Sequence, residues 1–372
     1  MRILLVGGVP ARLASGPVEW GGHVFEMIPH AFDRFVRFEL FKPGDKATVD
    51  QAGLENFLEA TRGFDAILCE TPEALILACE WKRRGEAPSA LIALVVHGLK
   101  RTRAMIEWYR EQGGSDVWPE VAGLPWISWC AASSQQQEVL HEYGIPAGRT
   151  YFIQGNSALY SWFVPGVDTL LDGGLDTDGR AAAGLPQDTV VVPGSGRRDP
   201  GTALRAAKQL PGLPFVIVDE EAEVRKAELA ERELLDLPNV TWLDPMPIES
   251  YIALIKRATL VVVPLQPGPG DGGHTTVAIA HRTRRAVVCS RVPGIMDYVE
   301  DGANAKLVEA ANPGRLAEAI EYLWSDPDER DRLGLNGHRA ELKRCAVARE
   351  NFEKAVSEAY AGLLQESRKG EV

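Results

Sequence analysis

The feature that most restricts this chain is a rhythm that runs twice: short apolar runs alternate with longer amphipathic segments, the pattern breaks, and then it starts again. Apolar runs without polar alternation read as strands covered on both faces. The amphipathic segments between them read as the covering helices, so each half is expected to be a parallel sheet wound by helices. In the first half, strands are expected near 2–6, 36–41, 65–69, 90–96, 126–131 and 150–153. Helices fill the gaps at Glu19 to Ala31, Gln51 to Thr61, Pro72 to Arg84, Arg101 to Glu111 and Ser133 to Tyr143, the last with a serine cap. In the second half, strands are expected near 189–193, 214–219, 239–243, 258–264, 285–290 and 304–308. Asn312-Pro313 and Asp326-Pro327 each set a capping side chain before a proline at a first helical position. A final helix is expected from about Ala348 to Gln365.

Val164 to Pro186 carries frequent breakers and no sustained period, so the boundary falls there. At 372 residues the chain exceeds what one core usually fills. The expected fold class is α/β, with two Rossmann-like doubly wound parallel-sheet domains facing across a cleft. They span 1–165 and 186–346, with a linker over 166–185 and a C-terminal helix over 347–372 that is free to cross back to the first domain.

Lys and Arg total 40 against 52 Asp and Glu, a net charge of −12 that repels a phosphate backbone and argues against nucleic acid as a partner. Two basic stretches, Lys100-Arg101-Thr102-Arg103 and Arg282-Thr283-Arg284-Arg285, read either as contacts for an anionic head group or a phosphate, or as a solvated helix face or turn. The five cysteines are odd in number and scattered, mostly in apolar runs, so buried thiols in a reducing, cytoplasmic setting are expected, without metal-ligand spacing. The apolar run at Met1 to Val6 is too short for a secretory signal, and no segment reaches the roughly 20 apolar residues that span a bilayer. Trp108, Tyr109, Trp118, Trp126 and Trp129 read as core, or as stacking surfaces for an acceptor.

Two glycine loops, one at Gly268 and one at Gly194, follow strands, where ligands of open parallel sheets bind. Gly268 to Thr276 feeds a helix start, whose amides and dipole favour a phosphate; Gly272, Gly273, His274, Thr275 and Thr276 are candidates there. Asp271 suits sugar hydroxyls better than a phosphate, which it would repel. Gly194-Ser195-Gly196-Arg197-Arg198 offers paired guanidiniums for a diphosphate, or for a surface pair with Asp199. Gly21-Gly22 opens the expected first helix, and His97 ends the fourth expected strand, at the edge where a sugar would react.

Val262-Val263-Pro264, Ala286 to Ser290, Pro293-Gly294-Ile295, Tyr298 to Asn304 and Asn312-Pro313 to Ile320 together resemble the retaining GT-B glycosyltransferases of group 1. That resemblance implies a nucleotide-diphosphate sugar (UDP-, GDP- or dTDP-sugar) as donor, with no further cofactor and no metal. The acceptor would be a sugar, a natural product or a lipid-linked molecule, and the configuration at the anomeric carbon would be retained. It places Gly21 and Gly22 by the donor, His97 near the transferred sugar, Arg197 on the diphosphate, and Gly273 to Thr276 where amides meet sugar and diphosphate. The sequence departs from the pattern at Ile279, where a second acid is usual, at the shorter Asp271, and in lacking a lysine after Arg197, a place Arg198 can take. A sugar-nucleotide epimerase or hydrolase, and a silent nucleotide-sugar-binding protein, are the competing readings.

Overall fold

Strands that are apolar at every position need both faces covered, and here they have it. In the computed structural model, Ala66–Glu70, Ala90–Leu94 and Ile127–Ala131 are buried throughout, as are Val190–Pro193, Phe215–Val218, Leu260–Val263 and Val287–Ser290. The structure describes residues 1–7, 17–20, 22–29, 36–39, 46–95, 100–112, 121–153, 167–173, 184–194, 197–219, 232–268 and 272–370. The chain divides into two compact units, Met1–Pro165 with Ala346–Val372, and Gly166–Cys345.

In the first unit the strands are β1 (Arg2–Gly7), β2 (Val18–Trp20), β3 (His23–Pro29), β4 (Val36–Glu39), β5 (Lys46–Val49), β6 (Ala66–Glu70), β7 (Ala90–Leu94), β8 (Ile127–Ala131) and β9 (Thr150–Phe152). Seven of them form one sheet in the order β2-β3-β1-β6-β7-β8-β9. All its pairs are parallel except β2 with β3.

The helix expected over Glu19 to Ala31 is replaced by a hairpin, in which Trp20 lies opposite His23 and Gly22 turns the chain at φ 76°. Apolar content there fits either period. The pairing of β3 along the whole of β1, together with the positive φ of Gly22, decides for strands. The strand expected at 36–41 belongs to a separate antiparallel pair, β4 with β5, because its partner is the next segment rather than the main sheet. Trp81, Trp108, Trp126 and Trp129 are core residues.

The helices expected to start at Pro327 and Ala348 are a single helix, Pro327–Gly370. Its later part completes the first unit's core with Phe352, Ala355, Val356 and Ala359. Ser128 Oγ donates to Ala355 O at 2.7 Å, Asn351 Nδ2 donates to Phe152 O at 2.7 Å, and the Tyr151 hydroxyl donates to Glu358. None of the described helices is long and apolar enough to cross a membrane.

The second unit holds β10 (Val190–Pro193), β11 (Phe215–Val218), β12 (Val240–Leu243), β13 (Leu260–Val263), β14 (Val287–Ser290) and β15 (Lys306–Val308), all parallel, in the order β12-β11-β10-β13-β14-β15. Strand order therefore reverses between β10 and β13. Chain connections leave those two strands in opposite directions, the point at which open parallel sheets bind ligands beyond the carboxyl ends of their strands.

The expected linker contains a helix, Val167–Asp172, within the second unit. Arg282, whose side chain is 8% exposed, donates from Nε to Asp172 Oδ1 at 3.0 Å and from Nη2 to Asp172 Oδ2 at 2.7 Å and Asp168 Oδ1 at 3.1 Å. Burial disfavours the Arg282 cation, yet its hydrogen bonds and attraction to Asp172 raise its pKa above the ordinary value. The second basic stretch is thus not a uniformly solvated turn: its first arginine is a buried anchor that a carboxylate must match.

Candidate functional site

The loops that follow β10 and β13 in the second unit are stitched together along the backbone. Arg198 and Leu265 form an antiparallel bridge, Gln266 N donates to Arg197 O at 3.0 Å, and Asp199 N donates to Pro264 O at 2.9 Å. Arg197 stands at φ 54°, a conformation L residues rarely adopt, and its Nη2 donates to three successive carbonyls, Gln266 O at 2.9 Å, Pro267 O at 3.3 Å and Gly268 O at 3.1 Å. Strain of this kind costs of order 1 kcal/mol and persists where the surroundings over-determine it.

Arg198 goes the other way. It is buried, donates from Nε to Pro193 O at 3.0 Å, and donates from Nη2 to Thr276 Oγ1 at 2.8 Å. The Tyr251 hydroxyl meets the same Thr276 oxygen at 2.7 Å. The two arginines therefore do not form one solvent-facing fork. Neither pairs with Asp199, whose carboxylate caps the helix Pro200–Gln209 by accepting from Thr202 N at 3.0 Å and Thr202 Oγ1 at 2.6 Å. Gly194 is needed at φ 95°: an added Cβ would stand 2.9 Å from Arg198 Nη2.

The helix His274–Arg282 begins at Gly273, which has φ 83° and no side chain with which to cap. A Cβ there would meet Val263 Cγ1 at 2.8 Å, so only glycine fits between the helix start and β13. The first amides of a helix have no partner within it, and the dipole adds positive potential at the same place. His274 stacks on Tyr298 with ring centroids 4.5 Å apart, and its Nε2 meets Gly294 O, which fixes the entry of the helix. Arg344 lies over the other ring, 5.6 Å from the Tyr298 centroid. Thr276 is buried, whereas His274 and Thr275 are half-buried.

Gly272, Gly273, His274, Thr275, Thr276, Arg197 and Arg198 are thus brought to one end of the second sheet. Gly22 sits in the hairpin turn of the first unit. His97, Asp271, Gly21 and Gly196 lie outside the described residues. Sequence reasoning missed Tyr251, whose only signal is its place on the helix Ile248–Arg257, and Tyr298, which appeared only as part of a pattern. Beneath the loops, burial pushes the Cys289 thiol up to about 12, partly opposed by the Arg198 charge.

Residues 194–340 match the family described as Glycosyl transferases group 1. That match lies within the second unit. Around it, the chain is 30% identical over 230 residues to the D-inositol 3-phosphate glycosyltransferase of Acidothermus cellulolyticus, covering 55% of this chain and 48% of that protein. The enzyme of the same name from Corynebacterium urealyticum is 27% identical over 217 residues, 54% of this chain and 48% of that protein. The chain spans about half the length of these curated relatives.

Among solved structures, Anabaena HepE in complex with UDP-glucose aligns with a TM-score of 0.62 at 16% identity, over 96% of this chain and 100% of that one. Sucrose-phosphate synthase from Thermosynechococcus elongatus aligns at 0.58 and 19% identity over 100% of both chains. Likeness at such identities speaks for the fold, which is GT-B. Ile279, the departure from the pattern noted in the sequence, is buried in the helix that starts after Gly273.

Proposed function

We propose that this chain is a glycosyltransferase that takes a nucleotide-diphosphate sugar as donor and transfers its sugar with retention of anomeric configuration. The observation that carries the reading is the junction at the strand-order reversal. There a half-buried, conformationally strained Arg197 and an uncapped glycine helix start sit at the carboxyl ends of β10 and β13. A diphosphate leaving group needs fixed positive potential, and preorganised amides with a guanidinium supply it without reorganising during the reaction. In this reading they take the part that a metal ion plays elsewhere.

The bond from the anomeric carbon to the β-phosphate oxygen breaks, and the acceptor oxygen bonds to that carbon on the same face. The acceptor proton departs with the diphosphate. Arg197 and the amides of His274 to Thr276 hold the diphosphate, and Arg198 keeps Thr276 in place from below. His97 and Asp271 are assigned to the transferred sugar on the resemblance alone. Gly21, Gly22 and Gly196 are assigned to the donor on the same ground.

UDP-glucose is the donor to try first because HepE was crystallised with it. D-inositol 3-phosphate is the first acceptor because the relatives are named for it. The test incubates the protein with UDP-, GDP- and dTDP-sugars, with and without acceptor, and follows nucleotide release. Acceptor-dependent release, with a product whose proton coupling at the new anomeric centre matches the donor's configuration, supports the proposal. Release without acceptor, or an inverted product, removes it.

A further inference from the structure

A hollow of about 210 Å³ lies at the opposite end of the same sheet from the donor junction. Its walls are the residues immediately before β10, β13 and β14, together with the start of the helix Pro327–Gly370. Four arginines, Arg257, Arg284, Arg285 and Arg330, line it against two carboxylates, Asp188 and Asp331, and Lys256 adds a further cation. That is a local excess of positive charge in a chain whose net charge is −12.

Neutral oxygens hold three of the guanidiniums and so orient them without cancelling their charge. Arg257 Nη1 donates to Gln187 Oε1 at 3.3 Å, Arg285 Nη1 to Ala258 O at 3.3 Å, and Arg330 Nη1 to Leu323 O at 2.8 Å. Arg257 Nε is buried with no hydrogen-bond partner, so its share of the cation's charge is left without a direct acceptor. Burial lowers the pKa of Arg285; Asp331 works against that shift and Arg330 with it, so the cations crowd one another. Two of the four described non-glycine residues at positive φ also stand here, Asp188 at 53° and Arg284 at 58°.

We propose that this hollow is a second anion site that binds a phosphate group, separate from the donor junction. Oriented guanidiniums in a concave, partly dehydrated wall match the tetrahedral oxygens of phosphate, and a cleft lined by one sign of charge concentrates its counter-ion. The opposite ends of parallel strands keep the two sites apart, so a ligand here leaves the donor junction open.

Calorimetric titration of the full chain tests this, with inorganic phosphate, with glycerol 3-phosphate as an organic phosphomonoester, and with chloride at matched ionic strength. Saturable binding of either phosphate, but not of chloride, is expected. It should weaken about tenfold or more in Arg257→Ala/Arg284→Gly and persist in Arg197→Ala. Tighter binding of the inorganic ion identifies free phosphate as the ligand form, and tighter binding of the ester identifies an organic phosphate. Glycine adopts the φ of Arg284 without strain, so that substitution is compatible with the fold. In the unaltered protein, phosphate should also shield Arg284 from phenylglyoxal, read by mass spectrometry. No saturation in the unaltered protein, binding lost only in Arg197→Ala, or Arg284 modified equally with and without phosphate overturns the proposal.

Discussion

Arg198 and Thr276 are joined by a 2.8 Å hydrogen bond from Nη2 to Oγ1, across 78 positions of sequence, and this bond fastens the loop after β10 to the first turn of the helix after β13. Both groups are buried. Thr276→Val keeps the shape but removes the acceptor, leaving a buried guanidinium and the Tyr251 hydroxyl each short of a partner. The expected loss is about 1–3 kcal/mol of stability, read as a lower urea midpoint at unchanged m-value, with Tyr251→Phe costing less. Unchanged midpoints in both variants would show that the bond does not hold the junction.

Gly273 is constrained twice, by φ 83° and by the 2.8 Å approach that a Cβ would make to Val263. Gly273→Ala is expected to destabilise by about 1–3 kcal/mol and to weaken nucleotide binding, because the helix start has to shift. Adding Val263→Ala relieves the clash but not the backbone strain, so it should recover only part of the stability. Full recovery would assign the whole effect to packing.

Arg197 reaches three carbonyls from one nitrogen and lies at the proposed diphosphate site. Arg197→Ala is expected to lower turnover at least about tenfold, and Arg197→Lys is expected to restore little, since an ammonium lacks the paired planar donors that would keep one edge on the loop carbonyls and offer the other to a diphosphate. Near-normal kcat with either substitution would take the diphosphate away from this residue.

His281 is fully buried, meets Asn304 O through Nε2 at 3.1 Å, and faces Arg344 Nη2 at 3.1 Å through Nδ1. Burial first, and then the Arg344 charge, lower its pKa to about 3. The unfolded chain binds the proton near the ordinary value of about 6.5, so between these limits unfolding takes up a proton. Stability from this residue is therefore complete above about pH 6.5 and falls as the pH drops towards 3, at up to roughly 1.4 kcal/mol per pH unit. Urea unfolding at successive pH values should show that slope, and His281→Asn should flatten it. A His281→Asn profile parallel to that of the unaltered protein would assign the slope to other groups.

Asp172 accepts two hydrogen bonds from buried Arg282. Asp172→Asn strands much of that charge and is expected to cost on the order of 3 kcal/mol, more than Asp168→Asn, which removes a single contact. Thermal melts of the two variants rank the contributions. An equal, small loss in both would mean that water replaces the carboxylates.

All six strands of the second sheet were legible in the sequence: β10, β11, β13 and β14 as short, largely apolar runs buried throughout, and the outer β12 and β15, which keep partly exposed positions, by the same spacing between helical segments. Local chemistry also announced several helix starts: Ser133 accepts from Gln136 N at 3.1 Å and Asn312 from Arg315 N at 3.0 Å. The glycine loop leading into the helix at His274 was legible for the same reason, since breakers before an apolar segment act within a few residues.

Tertiary structure alone decided the rest. Val18 to Pro29 became a hairpin because β3 found β1, and the helix beyond Pro327 ran on unbroken because its later residues had a core to enter. The sequence set Arg197 and Arg198 side by side, yet folding sent one to loop carbonyls and the other beneath the helix start. Periodicity and capping depend on near neighbours, so they can be read along the chain. The partner of a buried charge is a property of the packed molecule, because it is whichever acceptor the fold brings within hydrogen-bond reach.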